Sequence, residues 1–196
     1  MAKTLSTQKL SLGAEAPDFS LLSTNGFSQV NLSDYQNKSG YLIAFLSNHC
    51  PFVKHIADEF SKVANEYQKK GIAVFAISSN NIETHPDDSP EKMTAEAKMR
   101  KYEFPYLYDE TQEVAKKYYA ACTPDFFLFD KDKKLVYRGQ LDDSRPSNDT
   151  PVSCGDLIKA MDALLADAPP LKDQKPSLGC NIKWKEGNEP DYYKAS

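Results

Sequence analysis

The stretch LSNHCPFVKH, residues 46–55, sets a cysteine directly before a proline, between an apolar run and an amphipathic one. A thiol there is suited to nucleophilic sulfur chemistry. Pro51 fits the first position of a helix, where its missing N–H costs nothing, so Cys50 falls at or beside the N-cap. Unpaired N–H groups and the positive end of the helix dipole favour a thiolate at that place. Thiols so placed have pKa values lowered from ~8.5 to about 3.5–7.5. His49, Lys54 and His55 add positive charge nearby when protonated. The plain alternative is a buried cap cysteine without chemistry.

A second feature is Cys122-Thr123-Pro124, directly ahead of the apolar run DFFLFD. Proline donates no ladder hydrogen bond, so its place before an interior strand implies either a cis peptide in a tight turn or an ordinary turn. Cys154 opens the last helix and reads as a bystander; Cys180 lies near the C-terminus between Gly179 and Asn181. None of the four cysteines is paired as CxxC, which leaves a zinc site or a dithiol of that spacing unsupported. Cys50 with His49 and His55 is the one mixture that suits copper or zinc, against the plain reading of solvated surface histidines. His85, in a polar loop, is assigned no role.

These residues need elements to hold them. Residues 13–35 read as short strands broken by turns, with Asn25-Gly26 as a hairpin signal. YLIAFLS (41–47) and IAVFAIS (72–78) are continuous apolar runs of strand length, as expected of strands covered on both faces. Between them Phe52, Ile56, Phe60, Val63 and Tyr67 make one helical stripe, ended by Gly71. Strand, helix and strand in this order predict a parallel βαβ unit. Asp88 and Glu91 suggest a capping box with Pro90 in the first turn of a helix reaching about Tyr102. PYLYD is a short strand; Asp109 and Gln112 cap a further helix; DFFLFD and KLVYRG form an antiparallel hairpin. The last helix turns Leu157, Met161, Leu164 and Leu165 inward. After Ala168 the composition becomes rich in proline and lysine, so residues 1–168 read as the domain and 169–196 as a tail packed on it, with Trp184 as anchor.

A net charge of −4 gives no electrostatic footprint for nucleic acid or an anionic membrane. No apolar stretch approaches the ~20 residues that span a bilayer. The start MAKTLSTQKLSLG lacks the apolar region of a signal peptide, which predicts a cytoplasmic, reducing location. Cysteines there are free or redox-active more often than structural bridges.

GAEAPDFSL, VNLSDY, YLIAFLS and HCP resemble the opening of the peroxiredoxin and thiol-specific antioxidant families. TPDFFLFDKDKKLVYRG resembles the Thr-cis-Pro strand and hairpin of membrane-tethered thioredoxin-like reductases. With SPEKM, FPYLYDE and GCNIKWK, the set is similar to a bacterial group of peroxiredoxin-like thioredoxin family proteins, over residues 12–185. The resemblance implies an α/β thioredoxin-like fold. Its central mixed sheet combines the parallel βαβ unit with the antiparallel hairpin, with helices on both faces, an N-terminal strand extension and the C-terminal tail.

It also implies a thiol-dependent oxidoreductase acting by disulfide exchange or weak peroxide reduction, with Cys50 as attacking thiolate and no organic cofactor or metal. Ser47, Pro51, Thr123 and Pro124 then face the substrate, Thr123-Pro124 as the platform for its backbone. Cys122, on a loop the fold brings against the Cys50 helix, is the first candidate to resolve oxidised Cys50, with Cys180 second. Partners are a peroxide or disulfide and a thiol reductant such as a thioredoxin or a low-molecular-weight thiol. The rival reading is a non-catalytic thioredoxin-fold binding module, one version of which handles copper through Cys50 and the nearby histidines. Three departures matter: Val53 stands where a thioredoxin-type dithiol has its second cysteine, Ile43 where a peroxiredoxin has proline, and Thr123-Pro124 where it has arginine. Peroxide reduction is therefore expected to be slow unless Arg138, Arg145 or Lys54 substitutes.

Overall fold

A computed structural model describes residues 3–193. Its strands are β1 (Lys3–Leu5), β2 (Ser20–Ser23), β3 (Gln29–Asn31), β4 (Gly40–Phe45), β5 (Ile72–Ser78), β6 (Tyr106–Tyr108), β7 (Cys122–Thr123), β8 (Asp125–Asp130), β9 (Leu135–Gly139) and β10 (Leu178–Asn181). The helices are α1 (Pro51–Lys69), α2 (Pro90–Arg100), α3 (Glu113–Lys117) and α4 (Gly155–Leu165).

The two long apolar runs form the middle of the main sheet. β4 and β5 are buried at every position and pair in parallel, with β6 extending the parallel set. β8 and β9 add an antiparallel hairpin beside β4, giving the order β3-β2-β6-β5-β4-β8-β9. This is the mixed sheet of a thioredoxin-like fold. One of its faces packs Phe60, Phe104, Phe126, Leu157 and Met161; the other packs Phe19, Phe75, Tyr118, Phe127 and Trp184.

α1 carries the predicted stripe, with Ile56, Phe60 and Tyr67 buried and Phe52 and Val63 only partly so. It starts at Pro51 because Cys50 is extended and proline's fixed φ suits the first turn. Gly71, at φ +97°, lets the chain turn back into β5. Two expectations are corrected. The Asp88–Glu91 capping box does not form: Ser89 is the N-cap of α2, and the Asp88 carboxylate is committed to the loop before α1. α2 also ends earlier than expected, at Arg100, because Lys101 turns left-handed.

The tail supplies an element of its own. β10 is the middle strand of a second sheet, ordered β1-β10-β7 and antiparallel on both sides. No helix among the described residues is long and apolar enough to cross a membrane.

Phe60 ties α1 to the sheet through rings 5.4 Å from Phe126 and 5.8 Å from Phe104. Phe60→Ala is expected to cost about 3–5 kcal/mol, read as a lower urea midpoint at unchanged slope.

Candidate active site

β4 delivers the chain to residues 47–49, and a buried carboxylate fixes that loop. Asp88 accepts hydrogen bonds from the Asn48 N–H at 2.6 Å, the Asn80 amide at 2.7 Å and the Ser47 hydroxyl at 3.1 Å. His49 meets it through Nδ1 at 2.7 Å. Burial alone would raise the Asp88 carboxyl; the bonds from His49, Asn80 and Asn48 outweigh it and hold the group below the usual carboxylate range. Tyr106 donates its hydroxyl to Asn48 at 3.0 Å and closes the loop from beneath. The loop is held on several sides, and so is the residue that follows it.

That residue is Cys50, the N-cap of α1 and fully buried. Its Sγ lies 2.8 Å from Cys180 Sγ and 3.2 Å from the Thr123 carbonyl oxygen. The thiol is pushed down to about 6, first by hydrogen bonding from Cys180, against burial, and then by the Thr123 side chain and the Val53 N–H of the first helical turn. Cys180 is pushed the other way, well above the usual thiol value, by its bond to Cys50, by burial and by the Cys50 charge. The two thiols are thus driven in opposite directions, Cys50 toward the thiolate and Cys180 toward the protonated form.

β10 makes this pairing. Cys180 stands opposite Thr123, and Asn181 opposite Cys122, across the β10–β7 ladder. Gly179 is required: a Cβ there would sit 1.9 Å from the Thr123 carbonyl oxygen. The Thr123-Pro124 peptide is cis, as one of the two sequence readings expects.

Several expected placements change. Cys180, and not Cys122, is the cysteine that touches Cys50. Cys122 Sγ lies 3.8 Å from the Pro124 oxygen and 4.0 Å from the Ser177 oxygen, and burial with the nearby Asp125 pushes its thiol far up. The Thr123 backbone is occupied by the chain's own strand and not open as a platform. Ser47 turns to Asp88, while Pro51 is exposed on the first turn of α1. His49 packs 4.6 Å from the His85 ring, and His55 bonds Ser144 at 2.7 Å, so neither joins Cys50. Among the described residues no three His, Cys, Asp or Glu side chains gather as a metal site. Arg138 bonds the Leu10 carbonyl oxygen at 2.6 Å, Arg145 bonds Asp142, Ser144 and Gln140, and Lys54 is exposed. Burial pushes the Cys154 thiol up to about 12.

Sequence reasoning passed over Asp88, read as a helix cap, and Asp125, whose carboxyl burial pushes up to about 8 beside Cys122. It also missed why Gly179 precedes Cys180. The available signal was alternation: Cys180, Ile182 and Trp184 are all buried, with Asn181 and Lys183 half-exposed between them.

In reduced protein the ultraviolet thiolate absorbance of Cys50 is expected to titrate with a midpoint near 6. Cys180→Ala removes the main donor and moves that midpoint upward by about one unit or more; an unmoved midpoint would assign the acidity to the helix alone.

The chain is similar to the thiol-disulfide oxidoreductase ResA of Bacillus thuringiensis, 25% identical over 129 residues that cover 66% of this chain and 69% of that protein. Two crystal structures match nearly throughout. An uncharacterized conserved protein from Geobacillus kaustophilus is 51% identical with a TM-score of 0.91, covering 94% of this chain and 97% of its own. The hypothetical protein SMc02350 from Sinorhizobium meliloti is 45% identical with a TM-score of 0.91, covering 94% and 100%. The sequence pattern of the AhpC/TSA family matches residues 12–138, and with the buried thiol at the head of α1 on this fold, the chain belongs to that family.

Proposed function

We propose that the protein is a thiol–disulfide oxidoreductase whose working couple is Cys50 and Cys180. The observation that carries this is the 2.8 Å contact between the two sulfurs, with their acidities driven in opposite directions. The Cys50 thiolate attacks one sulfur of a disulfide RS–SR′, forming Cys50–S–SR and releasing R′S⁻, which takes up a proton. Cys50 then carries no charge, and the interactions that held the Cys180 proton are gone. Cys180 loses that proton to solvent or the departing thiolate and attacks Cys50 Sγ. RS⁻ leaves, and a Cys50–Cys180 disulfide remains. Two electrons have passed from the protein to the substrate, and a thiol reductant restores the dithiol by the reverse exchange.

The same couple supports a slower reaction with hydroperoxides. There the Cys50 thiolate attacks the terminal oxygen of ROOH, the O–O bond breaks, RO⁻ leaves and takes up a proton as ROH, and the Cys180 thiol then forms the disulfide with the resulting sulfenic acid, releasing water. The commitment of Arg138 and Arg145 to the carbonyl oxygens of Leu10, Asp142 and Ser144 favours disulfides over peroxides as the oxidant. The copper-handling alternative loses its ligand set with the histidines turned elsewhere.

Treating reduced protein with one equivalent of hydroxyethyl disulfide, then mapping peptides by mass, is expected to give the Cys50–Cys180 bond. Cys180→Ala should stop at the mixed disulfide on Cys50, while Cys122→Ser should close the bond as the parent does. A Cys50–Cys122 bond in the parent would overturn the assignment of the couple.

A further inference from the structure

A polypeptide that presents a disulfide to Cys50 must lay its backbone beside the site, and the natural way is to add a strand to an open edge. The edge next to Cys50 is Cys122–Thr123, whose Thr123 carbonyl oxygen already reaches the Cys50 sulfur at 3.2 Å. β10 holds that edge, paired with Thr123 and Cys122 on one side and with Lys3–Leu5 on the other. It sits as an incoming strand would, with a cysteine aimed at the nucleophile.

β10 is also firmly tied at its C-terminal end. The Ile182 N–H donates to Ala121 O at 3.0 Å, the Lys183 N–H to Asn80 Oδ1 at 2.7 Å, and the Asn81 N–H to Lys183 O at 2.7 Å. Gln112 brackets the next turn, donating to Lys183 O and accepting from the Lys185 N–H, each at 2.9 Å. Ile182 and Trp184 are buried in the core layer opposite the one that holds Cys180. The strand therefore crosses the edge of the fold and is anchored on both sides of it. Removing it would break two ladders and uncover both side chains.

We infer that β10 is a specificity element: it fills the place of a polypeptide substrate and restricts Cys50 to low-molecular-weight disulfides. The inference rests on the Cys50–Cys180 couple proposed above. It follows from a conflict of uses, because the strand that would have to leave to admit a polypeptide is the strand that carries the second thiol. A displaced β10 takes Cys180 with it, so a polypeptide mixed disulfide on Cys50 would form without its resolving partner. A small disulfide asks only for a local opening over a sulfur that is 0% exposed, and Cys180 stays in place to finish the exchange.

The test compares oxidation rates of the reduced full chain by hydroxyethyl disulfide and by an unfolded peptide of similar reduction potential that contains one disulfide. The small disulfide is expected to react faster by about two orders of magnitude. Gly179→Val, whose side chain cannot pass the Thr123 carbonyl oxygen, should lift β10, speed the peptide reaction and lower the yield of Cys50–Cys180 bond. Amide exchange in the unaltered protein is a check that does not depend on that variant folding: β10 and Ile182 should stay protected in both redox states. Equal rates with the two disulfides, or fast exchange throughout β10, would overturn the inference while leaving the couple intact. Inertness toward both disulfides would sink the couple and this inference with it.

Discussion

The site depends on how closely the backbones of β10 and β7 approach at Thr123. At Gly179 the space between the strands admits no side chain, since a Cβ would stand 1.9 Å from the Thr123 oxygen. That closeness sets the next residue, Cys180, opposite Thr123 and its sulfur against that of Cys50. The consequence is electrostatic. In a buried site a hydrogen bond to a charge is strong and unscreened, so a donor thiol beside a helix N-terminus suffices to make Cys50 acidic.

The opposite wall of the site is rigid for a different reason. Asp88 is a fully buried carboxylate that gathers Ser47, Asn48, His49 and Asn80 around it. Breaking one of these bonds would leave a charge underpaired away from water, which is costly. The loop that carries Cys50 is therefore fixed around Asp88, and Asn80 links that network to the tail by accepting from the Lys183 N–H. Two preorganised walls, one from the main sheet and one from the second sheet, hold the sulfurs in contact before any oxidant arrives. For the proposed exchange this makes the second step intramolecular, with most of its ordering entropy already spent on folding.

Much of this was legible in the sequence because it rests on periodicity. The unbroken apolar runs of β4 and β5, the stripe on α1 and Pro51 after Cys50 each correspond to one local rule. Pro124 ahead of an interior strand left a cis turn and an ordinary turn both open, and the peptide is cis. The tail was harder to read. Its prolines and lysines masked the alternation of Cys180, Ile182 and Trp184, and docking so distant a segment has a chain-entropy cost. That cost grows only with the logarithm of loop length, and buried Ile182 and Trp184 with two ladders offset it. Cys122 was favoured for nearness along the fold, but its side chain turns toward Pro124 and Ser177. Asp88 was misread because an acid three residues before Glu91 matches a helix cap, and only the tertiary structure shows that it faces the other way, toward the Cys50 loop.

The central claim is that Cys50 and Cys180 act as one redox unit. Equilibrating the protein in glutathione buffers of graded potential, then counting alkylated thiols by mass, tests it most directly. The account predicts that both thiols disappear together in a single two-electron transition, without a populated glutathione adduct. Loss of one thiol at a time, with glutathione accumulating on Cys50 while Cys180 stays reduced, would contradict it.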